Sequence, residues 1–336
     1  MKRGESGICC VVGIDKPQGK TSHDVVNAVR RIFGERRVGH TGTLDPLATG
    51  VLTVCVGPAT RLDAYMVSHD KTYEVRIAFG VATDTDDAQG DLVRTAPVPP
   101  EVYDRAFARD YVHALVGSHC QLPPAYSAIK HKGIKSYEAA RNGNVVQIKP
   151  RDIEIYEAEL LNLEEDSSAP CAWWDVRLSV SKGTYIRSIA RDVGVDLDSA
   201  AHVDSLRRVR AGVLGVEDCV SLELLEEQRL HAVIDPVFLL GFRMAFLNSN
   251  QARDVHNGCA LQLSELNLFE APHRYDDADC GPRRAARKSS SVIREGEYIS
   301  VVFENELKAI YAAFPKQDEA RPSCVFSQGV IRGKGL

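Results

Sequence analysis

One glycine-rich segment contains the residues best suited to chemistry. It runs Arg36-Arg-Val-Gly-His-Thr-Gly-Thr-Leu-Asp-Pro-Leu-Ala-Thr-Gly50 and includes an imidazole, His40, and a carboxylate, Asp45. Its glycines allow positive φ angles or close backbone approach, and Pro46 restrains Asp45 to extended conformations. Such a loop can direct a carboxylate for acid–base or nucleophilic chemistry. On composition alone, an ordinary turn with a capping Asp explains the same residues.

The elements around this loop predict an irregular mixture of strands and helices. Two-residue apolar alternation predicts strands, and apolar residues spaced three or four apart predict helices. Strands are predicted over 8–14, 51–56, 71–80, 145–161, 172–181 and 202–217, and helices over 22–33, after Pro100, over 136–141 and after Thr184. There is neither βαβ periodicity nor an internal repeat. We therefore predict an α+β fold with a mixed, largely antiparallel central sheet and flanking helices.

Composition indicates a globular protein of about two domains. The chain has 336 residues, 44% of them apolar and 26% charged, which excludes a disordered tail or a fibre. Its apolar runs fall far short of the ~20 residues that span a bilayer, and no signal peptide is visible. Because none of the nine cysteines lies in a Cys-x-x-Cys pair, we predict reduced structural thiols rather than a metal site. A cytoplasmic protein is expected.

A domain boundary is predicted near residue 236. Leu222 to Ala232 is typical of a helix, and Asp235-Pro236 would end it. Strand-like sequence resumes over 298–303 and 308–313. We expect a first domain over 1–236 and a small, mostly β domain over 237–336.

Local charge is more informative than the net value of −5. Three basic clusters occur in the first domain, and a basic face on an acidic body would bind a polyanion on one side. Taken singly, each cluster is equally explained by a solvated surface. The clusters are Arg30, Arg31, Arg36 and Arg37; Lys130, Lys132, Lys135, Arg141, Lys149 and Arg151; and Arg207, Arg208 and Arg210.

Seven blocks of sequence resemble one family. Gly13-Ile-Asp-Lys-Pro-Gln-Gly-Lys-Thr-Ser22 and Gly39-His-Thr-Gly-Thr-Leu-Asp-Pro-Leu-Ala-Thr-Gly-Val-Leu52 closely resemble the opening motifs of TruB-type tRNA pseudouridine synthases. The resemblance continues in the family's order through 70–73, 83–86, 122–130, 181–188 and 201–208. It implies the pseudouridine synthase fold for 1–236, and the segment 237–336 is similar to a PUA domain.

This resemblance implies that the protein isomerises uridine to pseudouridine in the T-loop of tRNA, at position 55 by tRNA convention. The glycosidic N–C bond breaks, the base turns and a C–C bond forms, so no metal, nucleotide or redox cofactor is expected. Asp45 matches the family's catalytic carboxylate, and Arg187 matches the arginine that pairs with it. Such a cation would keep a carboxylate ionised in a closed pocket. Tyr73 matches the tyrosine that stacks on the target base and is proposed to help remove the C5 proton, although its place on an apolar strand face is also typical of core packing.

Other positions match residues that contact the RNA. Tyr185 and Leu206 match residues that line the pocket of the flipped nucleotide, and His40 matches a histidine that inserts near the vacated stack. Base extrusion costs a few kcal/mol, which such contacts would offset. Lys20 and Lys130 are expected to contact phosphates or to organise the site rather than to catalyse. At position 20 this chain has Lys where relatives often have an apolar residue.

The implied partner is the T-arm of tRNA, a compact shape that proteins read by form and stacking. A monomer is expected, without a membrane or nucleotide-cofactor partner. A relative that works with guide RNA is disfavoured, since no long Lys-rich tail is present. The basic insert at 283–288 is unusual for the family.

Two alternatives remain open. A tRNA-binding or tRNA-folding factor could keep the pocket without turnover, although binding alone would not need a carboxylate beside an RNA backbone. An Asp-dependent phosphotransferase would depend on magnesium. Four acidic residues could hold a hard metal, but an acidic hairpin turn explains them better: Asp84, Asp86, Asp87 and Asp91.

Overall fold

A computed structural model describes residues 6–67, 69–124, 130–131, 134–135, 149–166, 171–272, 289 and 292–333. The helices are α1 (Ser22–Phe33), α2 (Asp63–Met66), α3 (Arg105–Ala114), α4 (Ile186–Asp196), α5 (Leu222–Gln228), α6 (Pro236–Leu240) and α7 (Ser249–His256).

The strands up to residue 180 are β1 (Cys10–Lys16), β2 (Val38–His40), β3 (Thr49–Val56), β4 (Lys71–Phe79), β5 (Val81–Thr83), β6 (Leu92–Thr95), β7 (Gly117–Gln121), β8 (Lys130–His131), β9 (Ile134–Lys135), β10 (Arg151–Asp166) and β11 (Cys171–Val180). The later strands are β12 (Ala201–Ala211), β13 (Leu214–Gly215), β14 (Val233–Ile234), β15 (Arg243–Phe246), β16 (Leu261–Gln262), β17 (Leu268–Phe269), β18 (Tyr298–Phe303), β19 (Glu306–Phe314) and β20 (Glu319–Ile331).

The chain divides into two compact units. The first unit contains Met1–Asp45, Val51–Ser68 and Gly212–Leu336, and the second contains Pro46–Gly50 and His69–Ala211. This division does not test the domain boundary expected near residue 236, which stays a prediction.

The second unit is built on an antiparallel sheet in the order β12, β4, β11, β10, β7. Its apolar alternation is as predicted: Val75 pairs with Val176 and Ile77 with Trp174, and all four side chains are buried. The Trp174 indole donates a hydrogen bond of 2.9 Å to the Val102 carbonyl, which satisfies its one polar group. Helix α3 packs on β10 and helix α4 on β12. The mixed, largely antiparallel α+β fold is confirmed.

The first unit combines two sheets. Strand β1 lies between β14 and β3, with β2 antiparallel to β3. A second sheet in the order β16, β20, β19, β18, β15, β17 forms the strand-rich C-terminal region. Its core contains Val301 and Tyr311, and α7 packs against it through Val255. Arg332, just after β20, pairs with the buried Asp235 that caps α6.

Some predicted elements differ in detail from the structure. The helix expected after Pro100 is a 3-10 turn that ends at Tyr103, and α3 begins only after Asp104 accepts hydrogen bonds from the Ala106 and Phe107 N–H groups. The strand expected over 202–217 stops at 211, where Gly212 has a φ of +60°. Asp235-Pro236 starts α6, because Asp235 caps it and proline suits a first helical position. The short helix expected over 136–141 lies outside the described residues.

A glycine with a close backbone contact ends the Asp45 loop. Gly50 has a φ of +98°, and a Cβ there would lie 2.1 Å from the Arg208 backbone oxygen. The contact arises because Gly50 pairs in parallel with Arg208 of β12. Gly39 has no positive φ, and its Cβ would make an ordinary 3.6 Å contact with Thr60.

We therefore expect Gly50→Ala to lower the free energy of unfolding by about 2–5 kcal/mol, through left-handed strain and overpacking. Gly39→Ala, the matched control, should change it by less than about 1 kcal/mol. Urea unfolding of both variants measures the difference. Equal midpoints would contradict the role assigned to Gly50.

Candidate active site

The segment before Asp45 is held by one buried serine. The Ser22 hydroxyl donates to the Leu44 carbonyl at 2.9 Å and accepts from the Leu44 N–H at 2.8 Å. Ser22 is 2% exposed, so these bonds are shielded from water. Both backbone polar groups of the residue preceding Asp45 are thus satisfied by a single side chain.

Local sequence explains why Ser22 is available for this contact. Thr21 is the N-cap of α1: its hydroxyl accepts from the Asp24 N–H, and the Asp24 carboxylate accepts from the Thr21 N–H, which forms a capping box. Because Thr21 caps the helix, the hydroxyl of Ser22 is left for the loop. No local sequence signal distinguishes the contact of Ser22 with Leu44 from an ordinary role at the start of a helix.

His40 and Lys20 also lie in the first unit. His40 is half-buried on β2, opposite Val54 of β3, and the following Thr41 N–H donates to the Thr53 carbonyl at 3.0 Å. Lys20 is exposed, and its carbonyl accepts a 2.6 Å hydrogen bond from the fully buried Lys16 ammonium. The loop from 41 to 45 is therefore anchored at one end by strand pairing and at the other by Ser22.

Two predicted pocket residues share one face of the sheet in the second unit. Tyr73 pairs with Arg208 of β12, and Leu206 pairs with Val75 of β4. Residues directly opposite or two apart on antiparallel strands point to the same side. Tyr73 is 9% exposed and Leu206 is 8% exposed. Both are therefore mostly buried.

Arg187 lies in the first turn of α4 and is 5% exposed. Its Nη1 donates to the Thr85 carbonyl at 2.8 Å and lies 3.6 Å from Oδ2 of Asp87, which is also 5% exposed. Oδ1 of Asp87 accepts from the Thr85 hydroxyl at 2.8 Å and from the Gln89 N–H at 3.0 Å. The guanidinium thus faces a carboxylate whose other oxygen is already occupied.

The acidic loop containing Asp87 joins two paired strands, so the predicted hairpin turn is confirmed. Strand β5 pairs with β6, and the loop is also bound to β12, where the Val203 N–H donates to the Asp86 carbonyl at 3.1 Å. Asp86 pairs with Arg191 at 3.2 Å. Burial raises the pKa of Asp86 despite the opposing effect of Arg191 and Arg187. The sequence did not single out Asp87, because composition cannot show which of four nearby carboxylates is buried against a cation.

The basic cluster predicted over residues 207–210 lies on β12, and only part of it is exposed. Arg208 is 1% exposed, so it is not a surface cation, whereas Arg210 is exposed. Burial, with the neighbouring Arg208 and Lys182 charges, lowers the pKa of Lys71 to about 8, against the opposing effect of Asp70. Like-charge repulsion of this kind favours an approaching anion.

Within the described ranges, no three His, Cys, Asp or Glu side chains come together as a metal site. In the same residues, no helix is both long and apolar enough to cross a membrane. The side chain of Lys130 and the basic insert at 283–288 lie outside the described residues.

Comparisons with solved structures identify the fold. A chain from the "Structure of H/ACA RNP bound to a substrate RNA containing 2'-deoxyuridine" covers 94% of this chain and 84% of its own length, with a TM-score of 0.64 and 20% identity. A chain of a Cbf5-Nop10-Gar1 complex gives a TM-score of 0.63 at 22% identity, over 94% and 84% of the two chains. The class of protein is therefore one with the pseudouridine synthase fold, and its strand-rich C-terminal region is consistent with a PUA-like domain.

Sequence comparisons define the family. Residues 30–186 match the TruB family pseudouridylate synthase, N-terminal domain. The tRNA pseudouridine synthase B of Thermobifida fusca is 42% identical over 250 residues, which are 74% of this chain and 85% of that protein. The namesake from Mycobacterium sp. (strain KMS) is 42% identical over 293 residues, 84% of this chain and 96% of that protein. This chain belongs to the TruB family of pseudouridylate synthases.

The structure divides the predicted site residues between the units. Asp45, His40 and Lys20 belong to the first unit, and Tyr73, Tyr185, Arg187 and Leu206 belong to the second. The roles assigned to all of them stay predictions.

Replacing Ser22 with Ala should release the segment before Asp45. We expect Ser22→Ala to lower the single-turnover rate of pseudouridine formation by about 10–100-fold, since small displacements of reacting groups have effects of this size. Ser249→Ala, at an exposed serine that begins α7, should match the wild type. An unchanged rate in Ser22→Ala would show that Asp45 does not need this anchor.

Replacing Asp87 with Asn should remove the negative charge that pairs with Arg187 in the acidic loop. We expect Asp87→Asn to destabilise the protein by about 3–5 kcal/mol, the usual cost of breaking a buried ion pair. The variant should also lower the turnover rate by a larger factor than it lowers tRNA affinity. Asp91→Asn changes an exposed carboxylate of the same loop and serves as the control. Thermal unfolding and single-turnover rates measure both effects, and wild-type values for Asp87→Asn would refute the pairing.

Proposed function

We propose that this protein isomerises uridine to pseudouridine in the T-loop of tRNA, at position 55, on a flipped-out nucleotide. The observation that carries the proposal is the 42% identity, over 84% of this chain, to a protein named tRNA pseudouridine synthase B. The resembled motif includes Asp45 itself.

Asp45 serves as the catalytic carboxylate in this proposal. Pseudouridine formation breaks the bond from the ribose C1′ to N1 of the base and forms one from C1′ to C5. Attack on the sugar and removal of a ribose proton both require an ionised carboxylate. The anchoring of Leu44 by Ser22 supports this role, because it restrains the backbone next to Asp45.

Arg187 supplies the cation that favours ionisation of Asp45. An arginine stays charged at any pH relevant to proteins, and its hydrogen bond to Thr85 and ion pair with Asp87 limit how its guanidinium can turn. Tyr73 stacks on the target base and helps to remove the C5 proton. Its place beside Leu178 and Arg208 gives it one apolar and one cationic neighbour across the sheet.

The remaining residues act on the flipped nucleotide and on the RNA backbone. His40 fills the vacated stack, while Tyr185 and Leu206 line the pocket. This arrangement offsets the few kcal/mol that base extrusion costs. Lys20 and Lys130 contact phosphates, which position the RNA without reading its bases. Exposed Arg210 and the electropositive surroundings of Lys71 support the same electrostatic role.

The partner is the T-arm of tRNA, recognised by its shape. The catalytic domain spans 1–236, and the strand-rich region within 237–336 binds RNA in the manner of a PUA domain. The protein works as a cytoplasmic monomer without a cofactor. Each of these roles presupposes that the protein forms pseudouridine, so the first experiment measures turnover.

Asp45→Asn keeps the size of the side chain but removes its charge. We expect the variant to lose release of tritium from tRNA labelled at C5 of uridine, while tRNA affinity stays within about tenfold, since one carboxylate contributes little to binding a polyanion. Asp110→Asn, at an exposed carboxylate on α3, is the control. Assays in EDTA, with tRNA kept folded, measure the reaction without divalent metal.

The outcomes distinguish the alternatives. Release of one equivalent by the wild type, lost in Asp45→Asn and in tRNA with the T-loop uridine replaced, supports the proposal. Tight binding without release would indicate a tRNA-folding factor. A requirement for magnesium that folded tRNA does not explain would favour phosphoryl transfer.

A further inference from the structure

A buried glutamine binds the backbone at the start of α4. Gln121 is the last residue of β7 and is 2% exposed. Its Nε2 donates to the Tyr185 carbonyl at 3.0 Å, and its Oε1 accepts from the Tyr185 N–H at 2.9 Å. We call these two hydrogen bonds the glutamine bridge. They bind the N–H and the carbonyl of Tyr185, as a neighbouring strand would. Tyr185 is in an extended conformation, with φ of −102° and ψ of 110°.

The glutamine bridge takes the place of a helix cap. Tyr185 is the N-cap residue of α4, but its side chain makes no capping hydrogen bond. Its carbonyl accepts the first helical bond, from the Ile189 N–H at 3.2 Å, as well as the bond from Gln121. Tyr185, two positions before Arg187, is therefore held by a residue from outside the helix.

The glutamine bridge begins on a strand of the sheet, and a residue of the neighbouring strand also contacts this segment. Gln121 pairs with Arg151 across β7 and β10, within the sheet that also includes β4. The Arg151 guanidinium lies 5.5 Å from the centre of the Tyr185 ring, and its Nη1 donates to the Gly183 carbonyl at 3.4 Å. The backbone and ring of Tyr185 are thus each contacted by one of two paired strand residues.

The next residue of the chain repeats the connection. The Leu122 carbonyl accepts from the fully buried Ser188 hydroxyl at 2.9 Å and from Arg191 Nη2 at 2.9 Å. Arg191 and Arg187, one turn apart on α4, pair with Asp86 and Asp87. The first turn of α4 is consequently bound on one side by the end of β7 and on the other by the acidic loop.

We propose that Gln121 is a positioning residue that fixes the Tyr185 ring and the Arg187 guanidinium relative to the strand bearing Tyr73. This inference rests on the proposed function of the same site. Burying an amide costs free energy unless both its oxygen and its nitrogen are hydrogen-bonded. Gln121 directs both of these hydrogen bonds to the backbone of Tyr185. Loss of the bridge lets the start of α4 shift, which slows the chemical step while tRNA binding, spread over many phosphates, is kept.

Two variants of Gln121 separate positioning from packing. Gln121→Met keeps the length and volume of the side chain but removes both hydrogen bonds. Gln121→Glu keeps the acceptor; when its carboxyl is protonated it also donates to the Tyr185 carbonyl, and when ionised it repels that oxygen. Burial raises the pKa of such a carboxyl, so the protonated form becomes more populated as pH falls. Gln228→Met, at an exposed position at the end of α5, is the control.

Single-turnover tritium release, tRNA affinity and amide hydrogen exchange test the proposal. We expect Gln121→Met to slow release by about 100-fold, with tRNA affinity within about threefold and faster exchange over 185–188. The rate of Gln121→Glu relative to wild type should rise at least about tenfold between about pH 8.5 and about pH 6, following protonation of one group. Gln228→Met should match the wild type throughout.

Each failure has a distinct meaning. Unchanged release or unchanged exchange over 185–188 in Gln121→Met overturns the positioning role. A slow Gln121→Glu variant that does not recover as pH falls also overturns it, because packing alone would then explain the loss. Absence of release by the wild type refutes the proposed function instead, and the exchange measurement still decides whether the glutamine bridge holds Tyr185.

Discussion

Arg187 is 5% exposed, and because an arginine cannot lose its charge in a protein, the structure must provide a negative partner inside. Asp87 does so, and its second oxygen is bonded to Thr85 and Gln89. The acidic loop that contains Asp87 is itself hydrogen-bonded to β12 at Val203, which helps to hold the carboxylate in place. Helix α4 and the hairpin of β5 and β6 are thereby linked through this buried pair of charges, and a second time through Arg191 and Asp86.

Single side chains hold the two backbone segments nearest to the proposed catalytic groups. Ser22 bonds both polar groups of Leu44, and Gln121 bonds both polar groups of Tyr185. In each case a residue on a regular element satisfies the backbone polar groups of an irregular segment, which restrains that segment. A loop can in this way present a reactive side chain to a large substrate while its backbone stays ordered.

Much of the fold could be predicted from sequence because its strands alternate so regularly. The pairing of Val75 with Val176 and of Ile77 with Trp174 follows from two alternating segments that bury the same face. The helix after Pro100 was less predictable, since Asp104 offered a cap that competes with continuation of the helix. Of the site, motif resemblance indicated Asp45, Tyr73 and Arg187, whereas no local pattern marked Gln121 as different from any other polar strand residue.

The sequence by itself determined the family, the class of fold and the residues expected to do chemistry, because motifs and apolar periodicity are properties of neighbouring positions. Tertiary structure alone decided which polar residues are buried and what they bind. Asp87 resembles Asp84 and Asp91 in sequence, yet of these three it is the one that forms an ion pair with Arg187. Arg208 belongs to a run of arginines and is nevertheless buried. The cost of burying a charge depends on partners distant in the chain, and such partners are defined only once the chain has folded.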